Sequence, residues 1–526
     1  MRILMALSEW LNAAPAGMVW NLWRAALFVL LLAFILAAFR RLAPSPPGAR
    51  GVMALSTALW VALWLYQAQW QLAGFARPRF VRFLRRYDRR PWAETVRPRR
   101  GAILDAQGRP LALDADGVRR YPLGAAAAHP VGFCHPQFGS AGIERANEAD
   151  LEGRRLETRD DIRRFGRNLI RNEGIVGNDL PLTLDATLQQ EAFVRMAGQR
   201  GAIVALDPRT GAIRVLVSAP SFDPENPAAA LAADPQDAPM LNRALHGRYP
   251  PGSTFKILGA AAAIQNGFRG ALYCSAEGFS PEPGVRPIRD HEYYAALKEG
   301  RLWGGYGTID LREAFVRSSN VYFAQWSARQ EFDAAVEMAR RAGWLSGMEI
   351  FRGSDGVMAS VAGSGLPTPP VSPKLKAQIA IGQGPLLVTP LQMAVIAAGI
   401  ARDGWVYKPT LDRRAAPELM SRLCSPTVAR EVAGLMREAV KRGTGRAAER
   451  PGLEIAGKTG TAENPRGAPH AWFVGFAPVT APRLVVVVLI ENGGYGGRVA
   501  APIAGDLFEK ASQLGLLGER AAGAHP

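Results

Sequence analysis

The sequence predicts an α+β protein with a mainly antiparallel sheet flanked by helices, preceded by two apolar segments and a small domain. Strand-like apolar runs occur near residue 201 and again near residue 490. Alanine-rich segments at 257–266 and 391–401 lie between them and predict buried helices. Strands at both ends with helices between them indicate a sheet completed by distant parts of the chain.

The strand predictions rest on apolar runs and on the turns that separate them. The runs 201–206 and 212–217 have strand length, and the turn sequence Asp207-Pro-Arg-Thr-Gly211 between them predicts a hairpin. The runs 471–476 and 484–490 flank a second, proline-containing turn. The β-branched residues of 484–490 favour a buried central strand. The predicted domain spans 186–516, with 517–526 as a tail.

Residues 1–76 are predicted to be a membrane anchor with two transmembrane helices, at 20–39 and 51–70. Each run approaches the roughly 20 apolar residues that span a bilayer. Tryptophans at their ends are typical of interfacial anchors. The loop 40–50 carries three arginines, which favours a cytoplasmic loop and an external main domain. Five arginines at 77–86 oppose this, so that charge alone leaves the orientation open.

The composition limits the functional classes. The formal net charge is +17, and only 8 of the 63 basic residues are lysine. A basic chain can bind nucleic acid, anionic lipid or an acidic polymer, but no RNA-binding or zinc-finger signature favours nucleic acid. The three cysteines are widely spaced, which predicts neither a disulfide framework nor a zinc site. The six histidines form no metal-ligand spacing either.

A candidate nucleophile stands in the segment Pro250-Pro-Gly-Ser-Thr-Phe-Lys256. Ser253 lies at the start of a predicted helix, and Lys256 follows one turn later on the same face. A serine hydroxyl needs a base beside it, and a lysine with a lowered pKa can serve. Such a serine can also simply cap its helix. Because arginine cannot release its proton, a lysine in this arginine-rich chain favours the catalytic interpretation.

Two further segments can supply polar groups to such a site. In Ser318-Ser319-Asn320, a hydroxyl can relay a proton and an amide can hold a substrate amide, although the string is also an ordinary turn sequence. In the segment Gly457-Lys458-Thr459-Gly460-Thr461, Lys and Thr on an edge strand can reach a carboxylate, and glycine lets a ligand approach the backbone.

The third segment also matches a phosphate-binding loop formally, because Gly452 stands four residues before Gly457. We reject that interpretation for two reasons. Apolar residues occupy positions between the two glycines where such a loop needs small residues, and the sequence that follows Thr461 is a poor helix former.

The order SxxK, SxN and KTG is the signature of penicillin-binding proteins and class A β-lactamases. On these motifs the chain resembles a class B penicillin-binding protein, a monofunctional D,D-transpeptidase. The resemblance to the family's membrane-proximal pedestal lies in residues 100–108, 129–132, 142–144 and 151–153. The resemblance to its transpeptidase domain lies in residues 381–384 and 389–394. The resemblance covers about 97–516 and implies a β-lactamase/transpeptidase-like domain at 186–516, after a linker and pedestal at 77–185.

The resemblance also implies roles for individual residues. Ser253 would attack the D-Ala-D-Ala carbonyl of a peptidoglycan stem peptide, with Lys256 as its base. Ser318, aided by Lys458, would pass a proton to the leaving amine, and Asn320 would orient the donor peptide. Gly460 belongs to the same binding strand. Thr459 and Thr461 would bind the terminal carboxylate, and the backbone N–H groups of Ser253 and Thr461 would form the oxyanion hole.

The implied setting is the outer, periplasmic side of the cytoplasmic membrane, where peptidoglycan lies. β-Lactams would be inhibitors, and a polytopic SEDS-type glycosyltransferase would be a partner. The resemblance implies no metal and no organic cofactor. Two features depart from the family pattern: two predicted membrane helices stand where one is usual, and 97–185 is short for a pedestal. The subfamily and the anchoring therefore stay open.

Several functions compete with transpeptidation. A D,D-carboxypeptidase or β-lactamase would use the same acyl-serine chemistry with water as acceptor, and the motifs barely separate these. The pedestal segments favour a transpeptidase. A non-enzymatic penicillin sensor would need a cytoplasmic signalling domain. The predicted cytoplasmic loop has about eleven residues, which is too short for one. A scaffold that only activates a glycosyltransferase would not need all three motifs intact.

Overall fold

The computed structural model describes residues 51–52, 55–64, 66, 99–153 except 116, and 176–518 except 235, 330–331, 369–370 and 466. The chain divides into two compact units, Met1–Thr95 and Val96–Pro526.

The first predicted membrane span, 20–39, lies outside the described residues, as do the linker 77–98 and most of the predicted tail. Within the second predicted span, residues 51–52, 55–64 and 66 are helical. No helix of the described residues has both the length and the hydropathy that crossing a bilayer requires. The two spans therefore stay predictions.

The small domain after residue 98 is built on a four-stranded sheet in the order β3-β2-β1-β6. Its elements are β1 (Ile103–Leu104), β2 (Pro110–Ala115), β3 (Val118–Arg120), α1 (Ala128–Val131), β4 (Cys134–His135), β5 (Gly139–Ser140), α2 (Gly142–Ala146), α3 (Glu148–Leu151) and β6 (Leu180–Pro181). Glu144 is fully buried and pairs with both Arg100 and Arg119 at 2.7 Å. Breaking such a buried pair costs about 3–5 kcal/mol, so these residues stabilise the small domain.

The large domain follows in one continuous stretch of chain. Its elements are α4 (Ala186–Arg195), β7 (Gly201–Leu206), β8 (Ile213–Ala219), α5 (Ala228–Leu231), α6 (Lys256–Gln265), β9 (Leu272–Cys274), α7 (His291–Lys298), β10 (Gly307–Ile309), α8 (Leu311–Arg317), α9 (Asn320–Arg329), α10 (Asp333–Arg341), β11 (Glu349–Arg352), β12 (Val357–Ala359), α11 (Pro373–Ala380), α12 (Pro390–Ala401), β13 (Trp405–Tyr407), β14 (Leu419–Arg422), α13 (Pro426–Arg442), β15 (Ala456–Asn464), β16 (Gly467–Ala477), β17 (Leu484–Ile490) and α14 (Gly496–Gln513).

Five strands form the central sheet in the order β15-β16-β17-β7-β8, and every neighbouring pair is antiparallel. The predicted hairpin β7–β8 joins the C-terminal strands through β17, which is the middle strand and is buried along its whole length. The predicted α+β class with a mainly antiparallel sheet is therefore confirmed. β15 lies at one edge, so one side of its backbone is open toward the site.

Helices cover both faces of the sheet. Val485 and Val487 belong to the core shared with α6 and α12, whereas Val486 and Val488 belong to the core shared with α14. Alternate side chains of a strand point to opposite faces, which explains why β17 is apolar without interruption. The predicted alanine-rich helices correspond to α6 and α12. Small side chains let these helices pack closely in the core.

Candidate active site

The nucleophile segment forms a 3-10 turn, Gly252–Phe255, that leads directly into α6. The tight turn brings Ser253 Oγ to 3.0 Å from Lys256 Nζ. Gly252 has a positive φ of 54°, and a Cβ there would lie 2.9 Å from the backbone oxygen of Thr461. Glycine is required because the nucleophile turn packs directly on the edge strand β15.

Lys256 is fully buried beside the serine. Its Nζ lies 2.6 Å from the backbone oxygen of Ser318 and 2.7 Å from Asn320 Oδ1. Asn320 Nδ2 donates to the backbone oxygen of Arg289 at 3.1 Å, which fixes the amide with its oxygen toward the lysine. Burial lowers the pKa of Lys256 from 10.5 to about 7, although the charges of Asp290 and Glu292 raise it in part.

These contacts leave one position on a neutral Lys256 amine for the nucleophile. A neutral amine has two hydrogens and one lone pair. The two short contacts are both to acceptors, so they take the hydrogens. The lone pair is left to accept the proton of the Ser253 hydroxyl at 3.0 Å. The arrangement therefore suits general-base activation of the serine.

Ser318 connects the two lysines of the site. It ends α8 in the left-handed conformation, with φ 61°, and α9 begins two residues later. Its Oγ lies 2.8 Å from Lys458 Nζ and 3.4 Å from Lys256 Nζ. A hydroxyl between two amines can receive a proton from one side and donate on the other, as the relay role requires.

Lys458 lies on β15, fully buried. Burial and the charge of Lys256 both lower its pKa well below 10.5. Its position within a strand also excludes the phosphate-loop interpretation, because such a loop must open a helix. A Cβ on Gly460 would lie 2.9 Å from Thr254 Cγ2, so the strand approaches the nucleophile turn only because that position is glycine.

The two threonines of the KTG strand have different surroundings. The Thr459 side chain is buried, and its Oγ1 lies 2.6 Å from Thr444 Oγ1. Thr461 is half-buried, and its Oγ1 accepts from the backbone N–H of Gly496 at 3.4 Å. Carboxylate binding by these hydroxyls stays a prediction. The structure adds Thr444, in a Gly443-Thr-Gly445 segment, as a partner that the motifs do not reveal.

All eight sequence-predicted site residues lie in the region where the turn 252–255, the start of α9 and the strand β15 meet. Of the residues that sequence reasoning missed, Asp290 is buried beneath this site, and Gly382 supports the nucleophile turn. Among the residues that the structure describes, no group of three or more His, Cys, Asp or Glu side chains is placed to hold a metal ion.

Gly382 leads to a first prediction. Its backbone oxygen accepts from the N–H of Gly252 at 2.9 Å, and a Cβ at Gly382 would lie 1.8 Å from the oxygen of Gly252. We expect Gly382→Ala to lower the free energy of unfolding by more than about 1–3 kcal/mol and to slow acylation by penicillin. Thermal unfolding and fluorescent-penicillin labelling would measure the two effects.

Gly384→Ala is the matched control. Gly382 and Gly384 have nearly equal positive φ angles, 73° and 76°, but a Cβ on Gly384 would meet only ordinary contacts at 3.5 Å. The Gly384→Ala control therefore places an alanine at the same unfavourable positive φ but causes no steric collision. Equal losses in the two variants would show that Gly382 does not support the nucleophile turn.

Comparison with known proteins assigns this arrangement to a family. Residues 201–509 match the model of the penicillin-binding protein transpeptidase domain. The peptidoglycan D,D-transpeptidase PbpA of Mycobacterium tuberculosis H37Rv is 36% identical over 439 residues, covering 75% of this chain and 84% of that protein. The peptidoglycan D,D-transpeptidase MrdA of Acinetobacter baumannii is 30% identical over 467 residues, covering 76% of this chain and 66% of that protein.

Solved structures agree with these sequence relatives. The ceftriaxone acyl-enzyme complex of M. tuberculosis penicillin-binding protein A superposes with a TM-score of 0.69 at 32% identity, covering 78% of this chain and 98% of that one. Penicillin-binding protein 2 of Pseudomonas aeruginosa gives a TM-score of 0.66 at 30% identity, covering 82% and 100%. With its site geometry, the family match and these relatives taken together, the chain belongs to the class B penicillin-binding proteins.

Proposed function

We propose that this protein is a peptidoglycan D,D-transpeptidase that cross-links stem peptides through an acyl-serine intermediate on Ser253 and is inhibited by β-lactams. One observation carries the proposal: Nζ of buried Lys256 lies 3.0 Å from Ser253 Oγ, and two closer acceptors at 2.6 and 2.7 Å are available for its hydrogens. The relatives named D,D-transpeptidases and the β-lactam acyl-enzyme of a similar structure support the same chemistry.

The first half of the reaction forms the acyl-enzyme. Ser253 Oγ attacks the carbonyl of the penultimate D-Ala while Lys256 takes the hydroxyl proton. The backbone N–H groups of Ser253 and Thr461 stabilise the oxyanion. The bond to the terminal D-Ala breaks, and its nitrogen receives a proton through Ser318, whose Oγ lies 2.8 Å from Lys458 Nζ.

The second half transfers the acyl group. The amine of a second stem peptide attacks the ester carbonyl, its proton passes to the lysine–serine pair, and Ser253 leaves with its own proton restored. Water in place of the amine would release a shortened peptide, which is the D,D-carboxypeptidase alternative. We expect Asn320 to orient the donor peptide through the second hydrogen of its Nδ2, because Oδ1 faces Lys256 and the first hydrogen goes to the Arg289 oxygen.

An assay of the full-length protein with peptidoglycan precursors separates these outcomes. We expect cross-linked dimers together with release of D-Ala, and loss of both products after treatment with penicillin. Chromatography with mass detection would quantify dimers and shortened monomers. Shortened peptide without dimers, across a range of amine acceptors, would favour the carboxypeptidase instead.

We also propose a setting for this reaction. The segments 20–39 and 51–70 anchor the chain in the cytoplasmic membrane, and the catalytic domain faces the peptidoglycan on its outer side. A SEDS-type glycosyltransferase is the proposed partner. Support comes from the apolar runs, the arginines of the loop 40–50 and the family resemblance. Protection of residues 99–518 from protease added outside spheroplasts would contradict this orientation, and co-purification from membranes would test the partner.

A further inference from the structure

Asp290 is a buried carboxylate directly beneath the active site, with 1% of its surface exposed. It precedes α7 but makes no side-chain cap on that helix. Its carboxylate accepts instead from the start of α9: from the Ser319 hydroxyl at 3.1 Å, from the Val321 N–H at 3.1 Å and from the Asn320 N–H. Burial raises the pKa of the Asp290 carboxyl above its usual value, and the N–H groups at the start of α9 oppose that rise by favouring the carboxylate.

The residues that Asp290 holds are those that place the acceptors around Lys256. Ser319 and Asn320 follow Ser318, whose left-handed backbone turns its carbonyl oxygen to within 2.6 Å of Lys256 Nζ. The neighbouring Arg289 oxygen fixes the Asn320 amide. The segment 289–290 therefore positions both strong acceptors of the base, although it does not itself contact the nucleophile.

Asp290 also contributes charge to the site. In the described part of the chain, the charges of Asp290 and Glu292 raise the pKa of Lys256. Lys458 shares the Ser318 hydroxyl with Lys256, and the Lys256 charge lowers the pKa of Lys458. The ring of Phe323 lies 5.6 Å from Nζ, on a further side. Burial lowers the pKa of Lys256, and this effect is larger than the opposing effect of the two carboxylates. The charge of Asp290 raises the pKa of Lys256 more than the charge of Glu292 does.

We propose that Asp290 is a positioning residue of the transpeptidase site: its carboxylate holds the 318–320 turn against Lys256 and stabilises the ammonium that forms when Lys256 takes the proton of Ser253. The inference rests on the proposed function. It assigns Asp290 the kind of role that the buried aspartate has in a Ser-His-Asp triad, which orients the base and stabilises its protonated form. A cap that only stabilised α9 would have no such effect on the base.

The test is the pH dependence of acylation by a fluorescent penicillin, measured on the full-length wild-type chain and on Asp290→Asn. In the wild type we expect the rate to fall below about pH 7, as Lys256 becomes protonated. Removing the negative charge makes the ammonium less stable. The acid limb of Asp290→Asn should therefore move to lower pH by about one unit, and its plateau rate should fall because the amine is a weaker base.

Two further variants separate charge from capping. Ser319→Ala removes a hydrogen bond to Asp290 but keeps its charge, so its acid limb should coincide with that of the wild type. Asp290→Ser keeps a side chain that can cap a helix but removes the charge, so its limb should move as in Asp290→Asn.

The outcomes are distinguishable. A charge-free variant that is acylated with an unshifted acid limb would overturn the proposal and leave Asp290 as a cap. Failure of both charge-free variants to fold would do the same, because the carboxylate would then be required only by the fold. A wild-type chain that is not acylated at any pH would instead overturn the proposed function itself.

Discussion

Ser253→Ala is expected to abolish covalent labelling by a fluorescent penicillin. The Ser253 hydroxyl oxygen forms the ester. Among the residues that the structure describes, the other hydroxyl at Lys256 Nζ is that of Ser318, which is 3.4 Å away and is held by Lys458 at 2.8 Å. Alanine fits the half-buried turn without a collision, so the unfolding temperature should change little. Gel fluorescence after incubation with the labelled drug measures the effect.

Ser280→Ala is a suitable control for this change. Ser280 is exposed, and its hydroxyl donates to the backbone oxygen of Val285 in a surface loop. Labelling of the control should equal that of the wild type. Labelling that persists in a folded Ser253→Ala variant would mean that another side chain is the nucleophile.

Lys256→Arg is expected to slow acylation at least about 10³-fold although it keeps a positive charge. The guanidinium does not release its proton in a protein and therefore offers no lone pair to the Ser253 hydroxyl. It must also fit a fully buried position whose Nζ already lies within 2.7 Å of two acceptors. Fluorescent-penicillin labelling quenched at successive times gives the acylation rate, and circular dichroism checks the fold.

Lys298→Arg serves as the matched control, because Lys298 lies exposed at the end of α7. The same exchange there should leave both the labelling rate and the unfolding temperature unchanged. A wild-type rate in Lys256→Arg would contradict the assignment of Lys256 as the base.

Much of the fold follows from local sequence. The hairpin β7–β8 is encoded by two apolar runs and the turn between them, and β17 by a continuous β-branched run. The order of strands in the sheet is harder to predict, because the paired strands β17 and β7 are separated by most of the domain's sequence. Strands at both ends of the domain predicted a sheet completed by distant parts of the chain, but not the order of its strands.

Some residues of the site could likewise be predicted from the sequence, and others could not. Ser253 and Lys256 are one turn apart, so their contact follows from their spacing. The order of the three motifs predicted that Ser318 and Lys458 belong to the same site. Asp290 could not be found in this way. It stands at the start of one helix, α7, yet its carboxylate binds the start of another, and no local pattern encodes that contact.

Close backbone approaches are a second kind of feature that sequence patterns conceal. The segment 381–384 resembles a family stretch, but only the structure shows the Gly382 oxygen accepting from Gly252 N–H at 2.9 Å. The small domain gives a parallel case, because Arg100 and Glu144 lie in separate segments of the sequence and pair at 2.7 Å. In both places the glycine or the charge is visible in the sequence, whereas its partner depends on tertiary packing.

Mass mapping of the penicillin adduct on the wild-type chain identifies the nucleophile without any substitution. The protein is incubated with benzylpenicillin at neutral pH, quenched, digested and analysed by tandem mass spectrometry. We expect one adduct per chain, located on Ser253 in the peptide that contains Gly252 and Thr254. An adduct on any other residue, or no adduct on a folded chain, would contradict the assignment of Ser253 as the acylated serine.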